Sequence, residues 1–262
     1  MSIIYQPSGK AREYSELACN LYTGCNHGCK YCYAPAIRRM TRDKYIQPEP
    51  RRNIVRDFEK DCKNRYKSEQ AVLFCFMCDP YNELETELRI TRECLKVAYK
   101  YKIPVKILTK SDSVLNDMDI IKKFEKSISV GMTLTFYDDK KSKEWEPGAI
   151  TNIERLEVLK KLKENNVMTW ASFEPVIEPE ESLKIMEYGI KYIDYYKVGK
   201  LNNYQGIDKK VNWNDFLQKV VILLRDNKKP FYIKKDLREQ GRDVKLYGNE
   251  VLQDDFSPDI FM

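Results

Sequence analysis

The sequence predicts an α/β fold with a parallel sheet, followed by a short C-terminal extension. Between residues 15 and 225, short apolar stretches alternate with amphipathic ones, as is typical of parallel strands joined by right-handed helical crossovers. Turn and capping signals separate the segments. Gln47-Pro48-Glu49-Pro50 breaks the chain, and Thr151-x-x-Glu154 forms a capping box in front of an apolar periodic stretch. With 262 residues, the chain is long enough for one large domain.

Six strands are predicted from short apolar runs. They cover residues 15–22, 72–78, 105–108, 128–136, 168–173 and 192–198. The second run contains no charged residue, which is typical of a strand buried on both faces of a parallel sheet. Pro104 precedes the third run and marks its start.

Helices are predicted where apolar residues recur with a helical period. They cover residues 35–40, 53–67, 88–101, 118–124, a stretch that begins at Thr151, 180–188 and 213–225. The main domain is assigned to residues 1–228, with an irregular arm over 1–14. The extension is assigned to residues 229–262. Within it, Phe231-Tyr232-Ile233 is expected to form a short strand, and the tail through Ser257-Pro258 is expected to be disordered.

The composition excludes several classes of protein. The opening residues have no positive segment followed by an apolar one, so a signal peptide is not expected. No stretch has the length and apolarity of a membrane span, and no membrane partner is expected. We therefore expect a cytoplasmic protein whose eight cysteines are reduced, and serve as ligands or pack in the core.

The net charge of +6 is modest. Basic pairs such as Arg38-Arg39, Lys140-Lys141 and Lys234-Lys235 are scattered along the chain. This pattern favours a solvated, Lys-rich surface over a continuous stripe that binds nucleic acid.

Three cysteines are concentrated near the start of the chain. Cys25-x3-Cys29-x-Tyr31-Cys32 places them within eight residues, with Gly24 and Gly28 beside them to let the backbone curl. Thiolates select zinc, copper(I) or an iron–sulfur cluster. Structural zinc takes four ligands, and no second close pair is suitably placed to complete such a site. A four-iron cluster also normally takes four thiolates, so three would leave one iron open.

This motif, with an aromatic residue directly before the last cysteine, resembles the signature of the radical S-adenosylmethionine (SAM) superfamily. The resemblance implies a partial (β/α)6 parallel barrel. It also implies that Cys25, Cys29 and Cys32 hold a [4Fe–4S] cluster whose open iron chelates the amino and carboxylate groups of SAM. One electron then cleaves SAM to a 5′-deoxyadenosyl radical. Tyr31 would lie near the adenine. A reductant protein such as flavodoxin or ferredoxin is the expected partner.

Further motifs resemble the spore photoproduct lyase-like branch, which is related to DNA repair photolyases. They are Pro7-Ser8-Gly9-Lys10-Ala11-Arg12-Glu13-Tyr14, Asp79-Pro80-Tyr81, Leu108-Thr109-Lys110-Ser111 and Glu146-Pro147. The resemblance implies that Cys78 or Asp79 faces the amino group of SAM and that Lys110 faces its carboxylate. Thr133 and Arg155 would stand near the same cofactor.

Two features depart from these patterns. The Gly-Gly-Glu found at the end of the second strand in most radical SAM enzymes is absent. Phe76 occupies the position of the cysteine that donates a hydrogen atom in lesion-repair members, and Cys75 and Cys78 are interpreted as buried strand cysteines. Repair of the spore lesion is therefore not supported by the motif, and the substrate stays open.

Two classes of function remain. The first is a radical SAM enzyme, with a lyase-like or modifying activity, that abstracts a hydrogen atom from a substrate. The positive charge and the DNA-repair branch favour a nucleic acid or nucleotide as that substrate. The second is a non-catalytic iron–sulfur or zinc module that binds nucleic acid or a protein partner. His27 is interpreted as a loop residue, because three thiolates already supply the ligands. Cys19, Cys62 and Cys94 are assigned to packing. No catalytic residue is predicted.

Overall fold

A seven-stranded parallel sheet forms the centre of the fold. The computed structural model describes residues 2–65, 67–202, 204 and 206–251, so the predicted disordered tail around residue 257 lies outside the described residues. The strands are β1 (Leu17–Ala18), β2 (Tyr22–Thr23), β3 (Glu49–Pro50), β4 (Val72–Phe74), β5 (Val105–Thr109), β6 (Ile128–Thr133), β7 (Met168–Val176), β8 (Tyr195–Lys200) and β9 (Phe231–Ile233). The sheet order is β1-β4-β5-β6-β7-β8-β9, and β2 pairs with β3 in a separate antiparallel ribbon.

Helices connect the strands of the sheet. They are α1 (Ala34–Ile37), α2 (Arg42–Tyr45), α3 (Ile54–Asn64), α4 (Glu85–Leu88), α5 (Ile90–Lys100), α6 (Met118–Ile121), α7 (Asp139–Trp145), α8 (Asn152–Glu164), α9 (Pro179–Tyr188), α10 (Trp213–Asp226) and α11 (Lys235–Arg238). The predicted α/β class, with a sheet curved into a partial barrel, is confirmed. None of the helices among the described residues combines the length and apolarity needed to cross a bilayer.

The two faces of the sheet bury different residues. Because side chains alternate along a strand, Leu17, Val72 and Phe74 pack with the helices in the main core. Leu73, Trp170, Tyr195 and Tyr232 lie on the other face, where they form a smaller aromatic cluster with Tyr14 of the N-terminal arm. The second face is therefore the concave interior of the partial barrel.

All six predicted strands are present, but the first, second and fourth end earlier than predicted, and the sixth begins later. Residues 15–22 divide into β1 and the start of the ribbon strand β2. β4 ends at Phe74 because Asn20 takes over the next hydrogen bonds: its Oδ1 accepts from the backbone N–H groups of Phe76 and Met77, each at 2.9 Å. The carboxyl end of β4 thus leaves the sheet and opens towards the cysteine loop.

The helices agree with the periodic pattern. The predicted capping box at α8 is confirmed, since Thr151 N donates to Glu154 Oε2 at 2.6 Å and Glu154 N donates to Thr151 Oγ1 at 3.3 Å. Cys19, Cys62 and Cys94 are fully buried, as their assignment to packing required.

Helix α7 was not predicted. Its N-terminus is capped by Asp138, whose Oδ1 accepts from the N–H groups of Lys140 and Lys141.

The predicted extension contributes to the sheet. Its residues Phe231–Ile233 form β9, which pairs in parallel with β8 and is the seventh strand. Helix α11 follows and buries Leu237. A seventh strand beyond the predicted six therefore comes from residues that were assigned to the extension.

Candidate cofactor and active site

The three predicted metal ligands lie in the loop between β2 and α1. Cys25, Cys29 and Cys32 are free thiols, and Cys29 is the most buried of them. Gly24 and Gly28 adopt φ values of +80° and +61°, which only glycine accommodates without strain. The loop turns back on itself where Cys32 N donates to Cys29 O at 3.0 Å.

Arg42 of α2 holds this loop from one side. Its guanidinium donates to the backbone oxygens of Cys29 at 3.0 Å, Lys30 at 2.7 Å and Cys32 at 3.3 Å. Cys25 N donates to Tyr45 O at 2.9 Å, at the end of the same helix. The backbone that carries all three thiols is therefore fixed by the segment that follows it in sequence.

The other side of the loop docks on the end of α7. Lys30 N donates to Trp145 O at 2.9 Å, and Gly148 N donates to His27 O at 3.0 Å. A Cβ at Gly148 would lie 2.3 Å from Asn26 O and 2.9 Å from His27 Cα. Because backbone atoms cannot yield cheaply, Gly148 is required for this close approach.

We expect Gly148→Ala to displace the cysteine loop. Forced overpacking of this kind destabilises proteins by about 1–3 kcal/mol, and the displaced thiols should retain less iron. Chemical denaturation and iron analysis of the reconstituted protein measure both effects. Gly9→Ala is the control for iron content only: its own left-handed backbone (φ +58°) makes the substitution strained, but its Cβ would meet no atom within 4 Å, so the iron content should not change. Equal iron content in the two variants would show that this contact does not position the loop.

The chemistry of the donor set suits an iron–sulfur cluster, because thiolates are the usual ligands of such clusters. No group of three or more His, Cys, Asp or Glu side chains in the described part of the chain is arranged to hold one metal ion. In a four-iron cluster each thiolate binds a different iron, so the ligands need not converge on one point. Burial raises the pKa of the Cys29 thiol to about 11, and iron would replace the proton.

Asp79 connects the carboxyl ends of β4 and β5. Its Oδ1 accepts from Tyr81 N at 2.8 Å and Thr109 Oγ1 at 2.6 Å, and its Oδ2 accepts from Lys110 N at 2.8 Å. His27 Nδ1 lies 3.4 Å from Oδ2. Burial lowers the pKa of His27 despite the nearby carboxylate, so a neutral imidazole links the cysteine loop to the strand ends.

A second buried network lies around Glu146, which directly follows α7. Glu146 is fully buried; its Oε2 lies 2.7 Å from Arg155 Nη1, and its Oε1 accepts a hydrogen bond from the Tyr31 hydroxyl. Burial raises the pKa of Glu146, but Arg155 and Lys110 outweigh this effect, so the pKa lies below its ordinary value. Glu146 is therefore an ionised carboxylate, and it orients the hydroxyl group of Tyr31.

The ammonium group of Lys110 lies over Tyr31, with Nζ 6.0 Å from the ring centroid. Burial lowers the pKa of Lys110, but Cys29 and Glu146 raise it more, so the side chain is charged at neutral pH. In the described part of the chain, no carboxylate oxygen forms an ion pair with Nζ. Lys110 is thus a cation next to the cysteine loop that is available for an anionic group.

The structure brings Tyr31, Lys110, Asp79 and Arg155 to the same end of the sheet as the cysteines. Arg155 is fully buried, donating to Thr133 O at 2.8 Å, Ile150 O at 2.7 Å and Asn152 Oδ1 at 3.1 Å. Its contacts are those of a positioning residue, although its Nε is buried without a partner.

Cys78 and Thr133 are both buried and have neighbours within the protein. Cys78 is buried near Cys75, and it adds to the effect of burial in raising the pKa of the Cys75 thiol. Thr133 is also buried, and it contacts Arg155 through its backbone oxygen. Whether either side chain touches SAM stays a prediction.

A third polar group closes the other side of the interior, and it consists of Tyr14, Ser172, Glu174 and Lys234. The sequence analysis assigned no individual role to these residues. Lys234 Nζ donates to Glu174 Oε2 at 2.6 Å, and the Tyr14 hydroxyl donates to the same oxygen at 2.7 Å. Ser172 Oγ lies 2.6 Å from the Tyr14 hydroxyl. Burial raises the pKa of Tyr14 well above its ordinary value, and Glu174 adds to this shift. In the sequence, Glu174 directly follows the predicted strand 168–173, and this position was the signal that could have identified it as a site residue.

Comparison with known proteins identifies the family. The model of the radical SAM superfamily matches residues 19–189. The uncharacterized protein MJ0683 of Methanocaldococcus jannaschii is 34% identical over 158 residues, which are 60% of this chain and 59% of that protein. The uncharacterized protein ORF301 of Acidianus two-tailed virus is 26% identical over 187 residues, 66% of this chain and 60% of that protein. Each match thus spans about three fifths of the relative.

Solved structures share the fold. SuiB of Streptococcus suis bound to S-adenosylmethionine superposes with a TM-score of 0.64 at 15% identity, covering 88% of this chain and 53% of that one. A spore photoproduct lyase mutant with bound AdoMet and dinucleoside spore photoproduct superposes with a TM-score of 0.64 at 11% identity, covering 87% of this chain and 78% of that one. The family match covers well over half of the chain, and the chain therefore belongs to the radical SAM superfamily.

Proposed function

We propose that this protein is an enzyme that reductively cleaves SAM at a [4Fe–4S] cluster held by Cys25, Cys29 and Cys32, and then abstracts a hydrogen atom from a substrate carbon. When bound, the cluster and SAM supply the radical chemistry. The observation that carries the proposal is Lys110. Its ammonium group lies beside the cysteine loop and above Tyr31, and no described carboxylate is ion-paired with it.

The chain's own residues bind and orient the cofactor. Lys110 binds the carboxylate of SAM, and Asp79 fixes Lys110 by accepting its backbone N–H at 2.8 Å. Tyr31 is held by Glu146 and lies along the adenine side. The aromatic residues Tyr14, Trp170 and Tyr232 exclude water from the interior below.

The proposed substrate class is a nucleic acid or a nucleotide. The solved spore photoproduct lyase with the same fold holds a dinucleoside spore photoproduct, and the chain carries a net charge of +6. Repair of that lesion is not proposed, because Phe76 stands where the branch places its hydrogen-donating cysteine. Affinity for an oligonucleotide should fall as salt rises from 50 to about 200 mM. An affinity that is independent of salt would contradict this assignment.

SAM binding to the reconstituted protein tests the role of Lys110. We expect Lys110→Ala to weaken SAM binding about tenfold to a hundredfold, because a hydrogen bond to a charged group contributes about 1.5–3 kcal/mol. Equilibrium dialysis without reductant measures this directly. Lys110→Arg should restore part of the affinity, and Lys100→Ala, on an exposed helix end, should not change it.

Two results would contradict the proposal. Unchanged SAM affinity in Lys110→Ala would remove the assigned carboxylate contact. An intact cluster that releases no 5′-deoxyadenosine with SAM and dithionite would favour the non-catalytic module instead.

A further inference from the structure

The polar group on the far side of the interior, which includes Glu174 and Lys234, leaves one carboxylate oxygen without a described partner. Glu174 Oε2 accepts hydrogen bonds from Lys234 Nζ and from the Tyr14 hydroxyl, whereas no described residue donates to Oε1. The Glu174 side chain is 19% exposed, but the Lys234 side chain is only 3% exposed. Because a carboxylate can accept about four hydrogen bonds, Glu174 Oε1 can accept one from a ligand.

Gly199 of β8 makes room for this oxygen. A Cβ at this position would lie 2.9 Å from Glu174 Oε1 and 2.9 Å from Lys234 Cδ. Such a distance is shorter than an ordinary van der Waals contact. A larger residue at this position would therefore displace Oε1, although an ion pair with Lys234 needs only Oε2. The backbone of β8 thus keeps the second oxygen of the carboxylate uncrowded.

Glu174 lies at the same end of the sheet as the cysteine loop, and aromatic side chains connect the two. The ring of Tyr14, which donates to Glu174, packs edge-on against Phe76, with the ring centroids 5.9 Å apart. The backbone oxygen of Phe76 accepts a hydrogen bond from the Tyr33 hydroxyl at 3.4 Å. Tyr33 directly follows Cys32 and is 51% exposed. Aromatic rings therefore line the space between Glu174 and the thiols.

The charges around Glu174 are balanced. Glu13 Oε2 lies 3.7 Å from Lys234 Nζ, and Lys197 Nζ donates to the backbone oxygen of Glu13 at 2.7 Å. Two carboxylates thus lie beside two ammonium groups. An isolated carboxylate in the interior would attract a cation, but the two nearby ammonium groups cancel this attraction. The site therefore favours an uncharged hydrogen-bond donor.

We propose that Glu174 is a specificity-determining residue whose Oε1 accepts a hydrogen bond from an N–H group on a flat, uncharged ring of the substrate. This inference rests on the proposed function, and it specifies which part of the substrate the interior recognises. A nucleobase has such a group, and carboxylates accept hydrogen bonds from the N4 amino group of cytosine. The surrounding aromatic rings suit a flat ligand, because stacking on aromatic side chains stabilises bound bases. Glu174 forms and breaks no covalent bond in this role.

Gly199→Ala tests this contact while both partners of the ion pair remain, because its Cβ should displace Glu174 Oε1. The probes are dCMP and dTMP, each compared with a form in which methyl groups replace the hydrogens on N4 or N3. The unmodified reconstituted protein, with SAM and without reductant, should bind the preferred nucleotide about tenfold more tightly than its methylated form. In Gly199→Ala the two forms should bind with similar affinity. Calorimetry measures both affinities.

Glu174→Gln tests the same contact in a different way. The Gln oxygen should stay towards Lys234 and Tyr14, which are both donors, so an NH2 group would replace the acceptor at Oε1. Discrimination between the two forms should again be lost. Glu178→Gln is the matched control, because Glu178 is also ion-paired with one lysine, Lys141, at 2.6 Å, but is 44% exposed beyond the end of β7. The control should discriminate like the unmodified protein.

A purely structural role of the group would give a different result. If Gly199→Ala weakened the binding of both forms equally, the proposal would be overturned. Failure of the unmodified protein to bind the nucleotides, or to discriminate either one from its methylated form, would also overturn it. These measurements use no reductant, so they do not depend on SAM cleavage. Absence of 5′-deoxyadenosine from the unmodified protein with SAM and dithionite would instead refute the proposed function.

Discussion

Replacing Cys32 with alanine should lower the iron content of the reconstituted protein from about four atoms per chain to below one. It should also reduce 5′-deoxyadenosine formation below detection. Each of the three thiolates would bind one of the four irons, so the loss of one thiolate would leave two irons without a protein ligand. Iron analysis, the visible absorption spectrum and product analysis measure the effect.

Cys62→Ala is the matched control for this experiment. Cys62 is a fully buried thiol on α3 and packs in the core under the sheet. Its replacement should leave the iron content unchanged and affect only stability. If Cys32→Ala kept four irons, or if the unmodified protein bound zinc in place of iron, the assignment of the three cysteines would be wrong.

Replacing Glu146 with alanine should destabilise the protein by about 3–5 kcal/mol. Arg155 is fully buried, and the substitution would leave its guanidinium without the carboxylate at 2.7 Å. Removing one partner of a buried ion pair has a free-energy cost of this size because the remaining charge is uncompensated. Urea denaturation of the metal-free protein measures the change in the free energy of unfolding, so the result does not depend on the cluster.

Two further variants test whether the uncompensated charge of Arg155 causes the loss of stability in Glu146→Ala. Glu144→Ala removes an exposed carboxylate that lies 2.9 Å from Lys30 Nζ, and an exposed pair contributes at most about 1 kcal/mol. The double variant Glu146→Leu/Arg155→Leu removes both charges and should recover much of the stability. A loss below about 1 kcal/mol in Glu146→Ala would contradict the uncompensated-charge explanation.

Local sequence patterns were enough to predict the fold class and the cysteine loop. The capping box of α8 uses Thr151 and Glu154, three residues apart, so it is visible in a short window. The three cysteines and their two flanking glycines also lie close together in sequence. The alternation of strands and helices depends on the same kind of short-range signal.

The parts that sequence reasoning missed depend on contacts between distant residues. Tyr31 and Glu146 are 115 positions apart, and Tyr14 and Glu174 are 160 apart. No local period reveals such pairs, so the role of Glu146 could not be read from the Glu-Pro motif. Helix α7 was missed for another reason: of its residues only Ser142 is buried, so it lacks an apolar face.

The Lys234–Glu174–Tyr14 contact sets an order of events during synthesis of the chain. Lys234 arrives 60 residues after Glu174 and 220 after Tyr14, and its Nζ is held between Glu174 Oε2 and Lys10 O. A nascent chain that stops at residue 228 would lack the seventh strand and the cation that neutralises Glu174. The ribosome must therefore translate past Lys234 before this contact can close the interior.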